Sequence, residues 1–195
     1  MDAKDWSLLA LTKRQQGLVT YAQARAVGFT TSAIKWRLTA GEWTRVLPGV
    51  ARMFWADDTW TTRCWAASLW ADSSTTALSH TTAARLLGFD LAPDFAVHVT
   101  TEVERSQHPR RWCHHHRAML HIETSEVSGL CVTSPARTLL DLAVILNSSE
   151  LERVLRGAIN QRQVTTTALR KVLRPCRGKN GVVRLRTLFK RLVRE

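Results

Sequence analysis

The run Cys113-His114-His115-His116-Arg117, with His121 and Cys131 behind it, gathers the metal-ligating residue types of this 195-residue chain most densely. Zinc takes four convergent ligands, usually drawn from tight Cys or His pairs. Side chains alternate along an extended strand. His114 and His116 then face one way, and Cys113 and His115 the other. That split removes the ligand set, so no metal is expected and the run reads as a basic exposed strand. Ser79-His80, taken with Asp141, has the residue types of a hydrolase triad. The Gly-x-Ser-x-Gly elbow that presents such a serine does not surround Ser79. A capping serine beside a packed histidine is the expected arrangement. Arg137 and Asp141 lie four apart in "SPARTLLDLA" and share one helical face. They predict an ion pair tying that helix to a strand. The phosphate-cradling patterns G-x-x-x-x-G-K-[ST] and G-x-G-x-x-G do not occur. No catalytic residue and no cofactor are expected.

Charge points to binding instead. The formal net charge is +12 and the isoelectric point is near 10.7. Such an excess favours polyanions, nucleic acid first and anionic membrane second. From Lys13 to Arg52 the cations are Lys13, Arg14, Arg25, Lys35, Arg37, Arg45 and Arg52, against Glu42, a local charge of +6. No apolar run approaches the roughly 20 residues of a membrane span, so no membrane partner is expected. The N-terminus has early acids and lacks the apolar core of a secretory signal. Cys64, Cys113, Cys131 and Cys176 are far apart in sequence, which suits thiols in a reducing cytoplasm.

The elements that must position these cations form an α+β pattern with two domains. Residues 1–55 read as a winged helix-turn-helix. A first helix over residues 5–16 is stopped by Gly17. Thr20 caps a short helix ended by Gly28, and Thr30 caps the next, which Gly41 closes. The hairpin "EWTRVLPGVARM" follows, with Trp43, Arg45 and Leu47 alternating with Thr44 and Val46, and a Pro48-Gly49 turn. At 100° per residue, Ile34 and Leu38 pack inward. Thr31 opens this helix, Ser32, Lys35, Trp36 and Thr39 project outward, and Arg37 lies at the flank. Trp36 either reads a groove or packs on the second domain. Together with Arg45 and Arg52 of the hairpin, these are the candidate DNA contacts, and they imply double-stranded DNA as the partner.

Residues 56–195 read as a mixed domain of helices and a few strands, ending in four helices. Trp55, Trp60, Trp65 and Trp70 stand five apart on a segment that is apolar over most of its circumference, as in a helix buried between layers. From Arg153 to Glu195 there are thirteen Lys or Arg and only Glu195 as an acid. Arg184, Arg186, Lys190, Arg191 and Arg194 lie there among Val183, Leu185, Leu188 and Leu192. This is a solvated amphipathic face, a second phosphate-contacting surface, or a docking face for an acidic protein.

Several stretches carry a resemblance to the AbiEi family of antitoxins, found in type IV toxin–antitoxin modules. "GLVTYAQARAVGFTTSAIKWRLTAGEWTRVLPGV" is similar to the family's N-terminal winged helix. "ALSHTTAARLLGF" resembles its Ser-His-x-Ser/Thr-Ala-Ala segment. "VTSPARTLLDLA" and "GVVRLRTLF" resemble two further family segments. The wing departs from the common Gly-Val-Tyr, since Ala51 follows Val50. The metal-nuclease triplet D/E-x-K occurs only as Asp2-Ala3-Lys4. The resemblance implies a cytoplasmic DNA-binding repressor of its own operon acting at inverted repeats, which suits two copies. It also implies a C-terminal domain that counteracts a nucleotidyltransferase-like toxin, directly or functionally. A protein kinase acting on the toxin, and a plain transcriptional regulator, are the alternatives.

Overall fold

The computed structural model describes residues 3–71, 75–103, 110–118, 121–176 and 180–193. The N-terminal part runs α1 (Ala3–Arg14), β1 (Leu18–Thr20), α2 (Tyr21–Ala26), α3 (Thr31–Thr39), β2 (Trp43–Leu47) and β3 (Val50–Met53). These strands form an antiparallel sheet in the order β1-β3-β2. This is the winged helix-turn-helix order, three helices followed by a hairpin. Its local causes are those that the residue types suggest. Thr20 and Gln23 form a reciprocal capping box on α2, and the Thr30 hydroxyl accepts from the Ala33 amide at 3.1 Å. Gly41, one residue past the α3 C-cap, sits at φ +76°, where a side chain would strain the backbone.

The hairpin departs from strict alternation. The register shifts between Arg45 and Leu47, so Val46 is an extra, bulged residue. Val46 and Leu47 are both buried as a result, while Thr44 and Arg45 are both exposed.

After the hairpin come α4 (Trp60–Ala71), β4 (Thr76–Leu78), α5 (His80–Leu86), β5 (Val97–Thr101), β6 (Cys113–Arg117), β7 (Thr124–Val127) and β8 (Leu130–Thr133). The strands make a mixed sheet in the order β6-β5-β4-β8-β7. Helix α4 lies between the two sheets. Its Cys64, Ala66, Ala67 and Trp70 share one core with Leu18, Val46, Leu47 and Val50 of the first sheet, and with Leu78, Val97, Val99 and Val132 of the second. Alanines on both sides of this helix let both sheets approach it closely. The winged unit is thus joined to the rest of the chain by a common core.

Four helices complete the fold: α6 (Pro135–Ile145), α7 (Ser148–Asn160), α8 (Thr166–Leu173) and α9 (Asn180–Leu192). Leu139, Leu142, Leu151, Leu155, Leu169 and Leu185 form their core, joined by Ala84 of α5 and by Phe89. Among the described residues no helix is long and apolar enough to cross a membrane.

Candidate nucleic-acid interface

Helix α3 is anchored from beneath. Ile34 is buried in a core with Val19, Ala24, Phe29, Trp43 and Met53, and half-buried Leu38 packs against it. The opposite face carries Thr31, Ser32, Lys35, Trp36 and Thr39, all exposed. Trp36 is 58% exposed and does not pack on the second unit. The Thr39 hydroxyl donates to the Lys35 carbonyl at 3.0 Å, so it keeps only acceptor capacity for a ligand.

Two of the expected contacts turn out to be struts. The Arg37 guanidinium lies 4.6 Å above the Phe29 ring and reaches Asp5 at 3.7 Å and Glu42 at 3.6 Å. Its side chain is 21% exposed, and it braces α1 and the start of the hairpin against α3. A flank position on a short helix brings it within reach of acids that a helical projection alone does not display. Arg52, facing Leu18 and Thr44 across the sheet, donates to the Ala56 carbonyl at the exit of the hairpin. Arg45 stays exposed, with Nε donating to the Tyr21 hydroxyl at 3.2 Å. Arg110 donates to the Arg45 carbonyl at 2.9 Å, a contact across the chain that the hairpin sequence could not reveal. The α3 face and Arg45 therefore remain available to a ligand.

The C-terminal cations are mostly structural as well. Arg184 donates to the carbonyls of Ala143 and Leu146, satisfying the open end of α6. Arg186 does the same for Leu173 and Cys176 at the end of α8. Arg191 pairs with Glu152 of α7. Lys190 is exposed, and Arg194 lies outside the described residues. A basic stripe on one helix is thus spent largely on neighbouring helix ends. What remains is a cleft of 380 Å³ between α8 and α9, lined by Arg170, Leu173, Arg174, Arg186, Phe189 and Lys190.

Of the groups with chemical potential, Arg137 and Asp141 pair at 2.8 Å, but within α6 rather than between that helix and a strand. Burial pushes the Asp141 carboxyl up to about 6, against the lowering effect of Arg137, and its Oδ2 has no partner among the described residues. A folded-state value above the unfolded one means that the folded chain holds the proton more tightly. The contribution of Asp141 to stability is therefore greatest below pH 3.8 and is lost as pH rises to about 6. Two pH units correspond to roughly 3 kcal/mol. The unfolding free energy of the wild type, measured relative to Asp141→Asn, should fall by about that amount between pH 4 and pH 7. A difference that stays flat over that range would contradict the burial argument.

Ser79 sits at the N-cap of α5 without a side-chain capping bond. Its hydroxyl faces His80 Nδ1 at 2.9 Å and accepts from Thr100 at 2.7 Å, and it is fully buried. The histidine strand is not a basic exposed face either. Cys113 enters the core shared with α4, His115 packs edge-on against Trp70, and His116 turns to the other side of the sheet, as alternation requires. All four cysteines are free thiols.

The fold and this face define a winged helix-turn-helix unit set on a mixed α+β body. Residues 7–50 match the family described as transcriptional regulator, AbiEi antitoxin, the family that the sequence resembles. The fold is similar to the crystal structure of the RV2827C protein from Mycobacterium tuberculosis, with a TM-score of 0.64. The two are 14% identical over 94% of this chain and 75% of that one. No curated protein matches the sequence.

Proposed function

We propose that the chain is a DNA-binding antitoxin that represses its own operon in the cytoplasm, acting by binding and without catalysis. The observation that carries this reading is the outer face of α3. An indole, a lysine and three hydroxyls stand exposed on a helix that is capped at its start and pinned by Ile34 below. The edges of base pairs in the major groove take hydrogen bonds from Ser, Thr and Lys and apolar contact from a ring. Arg45 on the wing strand supplies a phosphate or minor-groove contact. Two copies on inverted repeats would double this footprint, as winged and helix-turn-helix readers do on palindromic sites.

The helices from Pro135 onward are the part that counteracts a nucleotidyltransferase-like toxin in this reading. The α8–α9 cleft supports it, because an apolar floor rimmed by Arg170, Arg174 and Lys190 suits an acidic segment. A promoter fusion tests the repressor part. Co-expressed chain should silence a reporter driven by the DNA upstream of its own reading frame, and Lys35→Ala should relieve that silencing. Unchanged reporter output with wild-type chain would overturn the autorepressor reading. Toxin rescue is scored separately, by growth of cells carrying the neighbouring gene with and without the chain.

A further inference from the structure

Three histidines from three separate elements meet on the α5 side of the second sheet. His80 opens α5, His98 lies in β5, and His116 lies in β6 at the sheet edge. We propose that His80, His98 and His116 form a binding site for a divalent transition-metal ion of the zinc type, with a fourth position left for water or an exchangeable ligand.

The first support is convergence. One ligand nitrogen from each residue lies within 4.8 Å of the other two, and His98 Nδ1 is 2.9 Å from His116 Nε2. Zinc–imidazole bonds of about 2.0–2.1 Å in a tetrahedron place the nitrogens about 3.3 Å apart. The close pair opens slightly and the third nitrogen moves inward to reach this. The rings of His80 and His116 are stacked, 3.9 Å apart at 24°. A shared ion requires the two rings to rotate out of that stack about their Cβ–Cγ bonds.

The second support is what stands on the opposite side of two of the rings, those of His98 and His80. Histidines that bind a metal through one nitrogen almost always bond a carboxylate, carbonyl or water through the other. His98 has Asp94 Oδ2 3.5 Å from its Nε2, and Asp94 is itself fixed by the Thr81 hydroxyl at 3.0 Å and the Ala96 amide at 2.9 Å. His80 Nδ1 faces the Ser79 hydroxyl, which is anchored in turn by Thr100. That leaves Nε2 of His80 as its ligand atom.

One further feature agrees. His80 adopts φ +51°, a left-handed conformation that a non-glycine residue rarely takes at a helix start. Backbone strain of this kind collects at sites where a side chain must be aimed. An ion here would clamp the edge strand β6 to β5 and α5. Sequence alternation alone hid the site, because only His116 of the Cys113–Arg117 run contributes and its partners lie far away in the chain.

The test uses the full chain without a histidine tag, stripped with a chelator and then titrated with Zn²⁺ by calorimetry and with Co²⁺ by visible absorption. One equivalent per chain is expected, with Co²⁺ bands in the visible and a rise in the unfolding temperature on adding Zn²⁺. His116→Ala should lose at least about a hundredfold in affinity. Asp94→Asn keeps all three ligands and should lose about ten- to a hundredfold. If His116→Ala does not fold, Asp94→Asn decides alone. Absence of binding by the folded wild-type chain overturns the proposal, as does unchanged affinity in Asp94→Asn. Neither result would touch the DNA-binding reading.

Discussion

Replacing Ser32, Lys35 and Trp36 together by alanine should weaken binding to the preferred duplex by at least about a hundredfold, with the fold intact. All three side chains are exposed, and none of them is part of the core under α3. Substitutions at such positions normally shift stability within about 0.5 kcal/mol each. A good base contact is worth about 1–3 kcal/mol of discrimination, so three positions at the low end supply about 3 kcal/mol, more than a factor of a hundred. The inward face behaves in the opposite way. Ile34 is 5% exposed, and Ile34→Ala should cost about 2–5 kcal/mol of stability. Leu38, only half-buried, should cost less than Ile34. Circular dichroism with equilibrium unfolding separates the two classes, and a triple variant that binds as well as wild type would remove α3 as the reader.

Leu185→Ala should destabilise the chain by about 3–5 kcal/mol, whereas Lys190→Gln, five residues further along α9, should change stability by less than about 0.5 kcal/mol. Leu185 is fully buried among the four terminal helices, and Val182, Leu188 and Phe189 are buried with it. The close fit of α9 to α6 shows at Gly181, where a Cβ would lie 2.5 Å from the Ala143 carbonyl oxygen. Arg184 then ties the same two helices through its bonds to Ala143 and Leu146. Removing the C-terminal helix would therefore expose a core, and its loss would be read as unfolding rather than as the loss of a basic surface. Urea unfolding of the two point variants distinguishes the cases. Equal stability of Leu185→Ala and wild type would show that α9 is not part of the core.

These residues also show what was legible in the sequence. Caps and turn glycines act within three or four residues, so Thr20, Thr30 and Gly41 could be assigned from local chemistry. The inward and outward faces of α3 followed from helical periodicity, as did the placement of the tryptophan-rich α4 between layers. Strands β1, β4 and β7 were not legible, because runs of three or four residues are too short to show a period. The bulge at Val46 hid for the same reason, since one inserted residue breaks an alternation only five residues long. Among the cations, charge could be counted but not its destination. Arg37 finds Asp5, Arg52 finds the Ala56 carbonyl, and Arg184 finds the end of a helix 38 to 41 residues away in sequence. Long side chains reach partners that only the tertiary fold supplies, and Lys35 and Arg45 are the expected contacts that remain turned outward.

Sequence-preferring DNA binding by the winged face can be measured by equilibrium binding of the full chain to two duplexes. One is taken from upstream of its own reading frame, the other is a scramble of it, and both are measured across a salt series from about 50 to 200 mM. Tighter binding to the first duplex is expected, with a fall in affinity with salt at a log–log slope of about −0.9 for each phosphate neutralised. Lys35→Ala with Arg45→Ala should make that slope shallower by about two units. Equal affinity for the two duplexes, or binding that does not weaken with salt, would contradict this reading of the winged face.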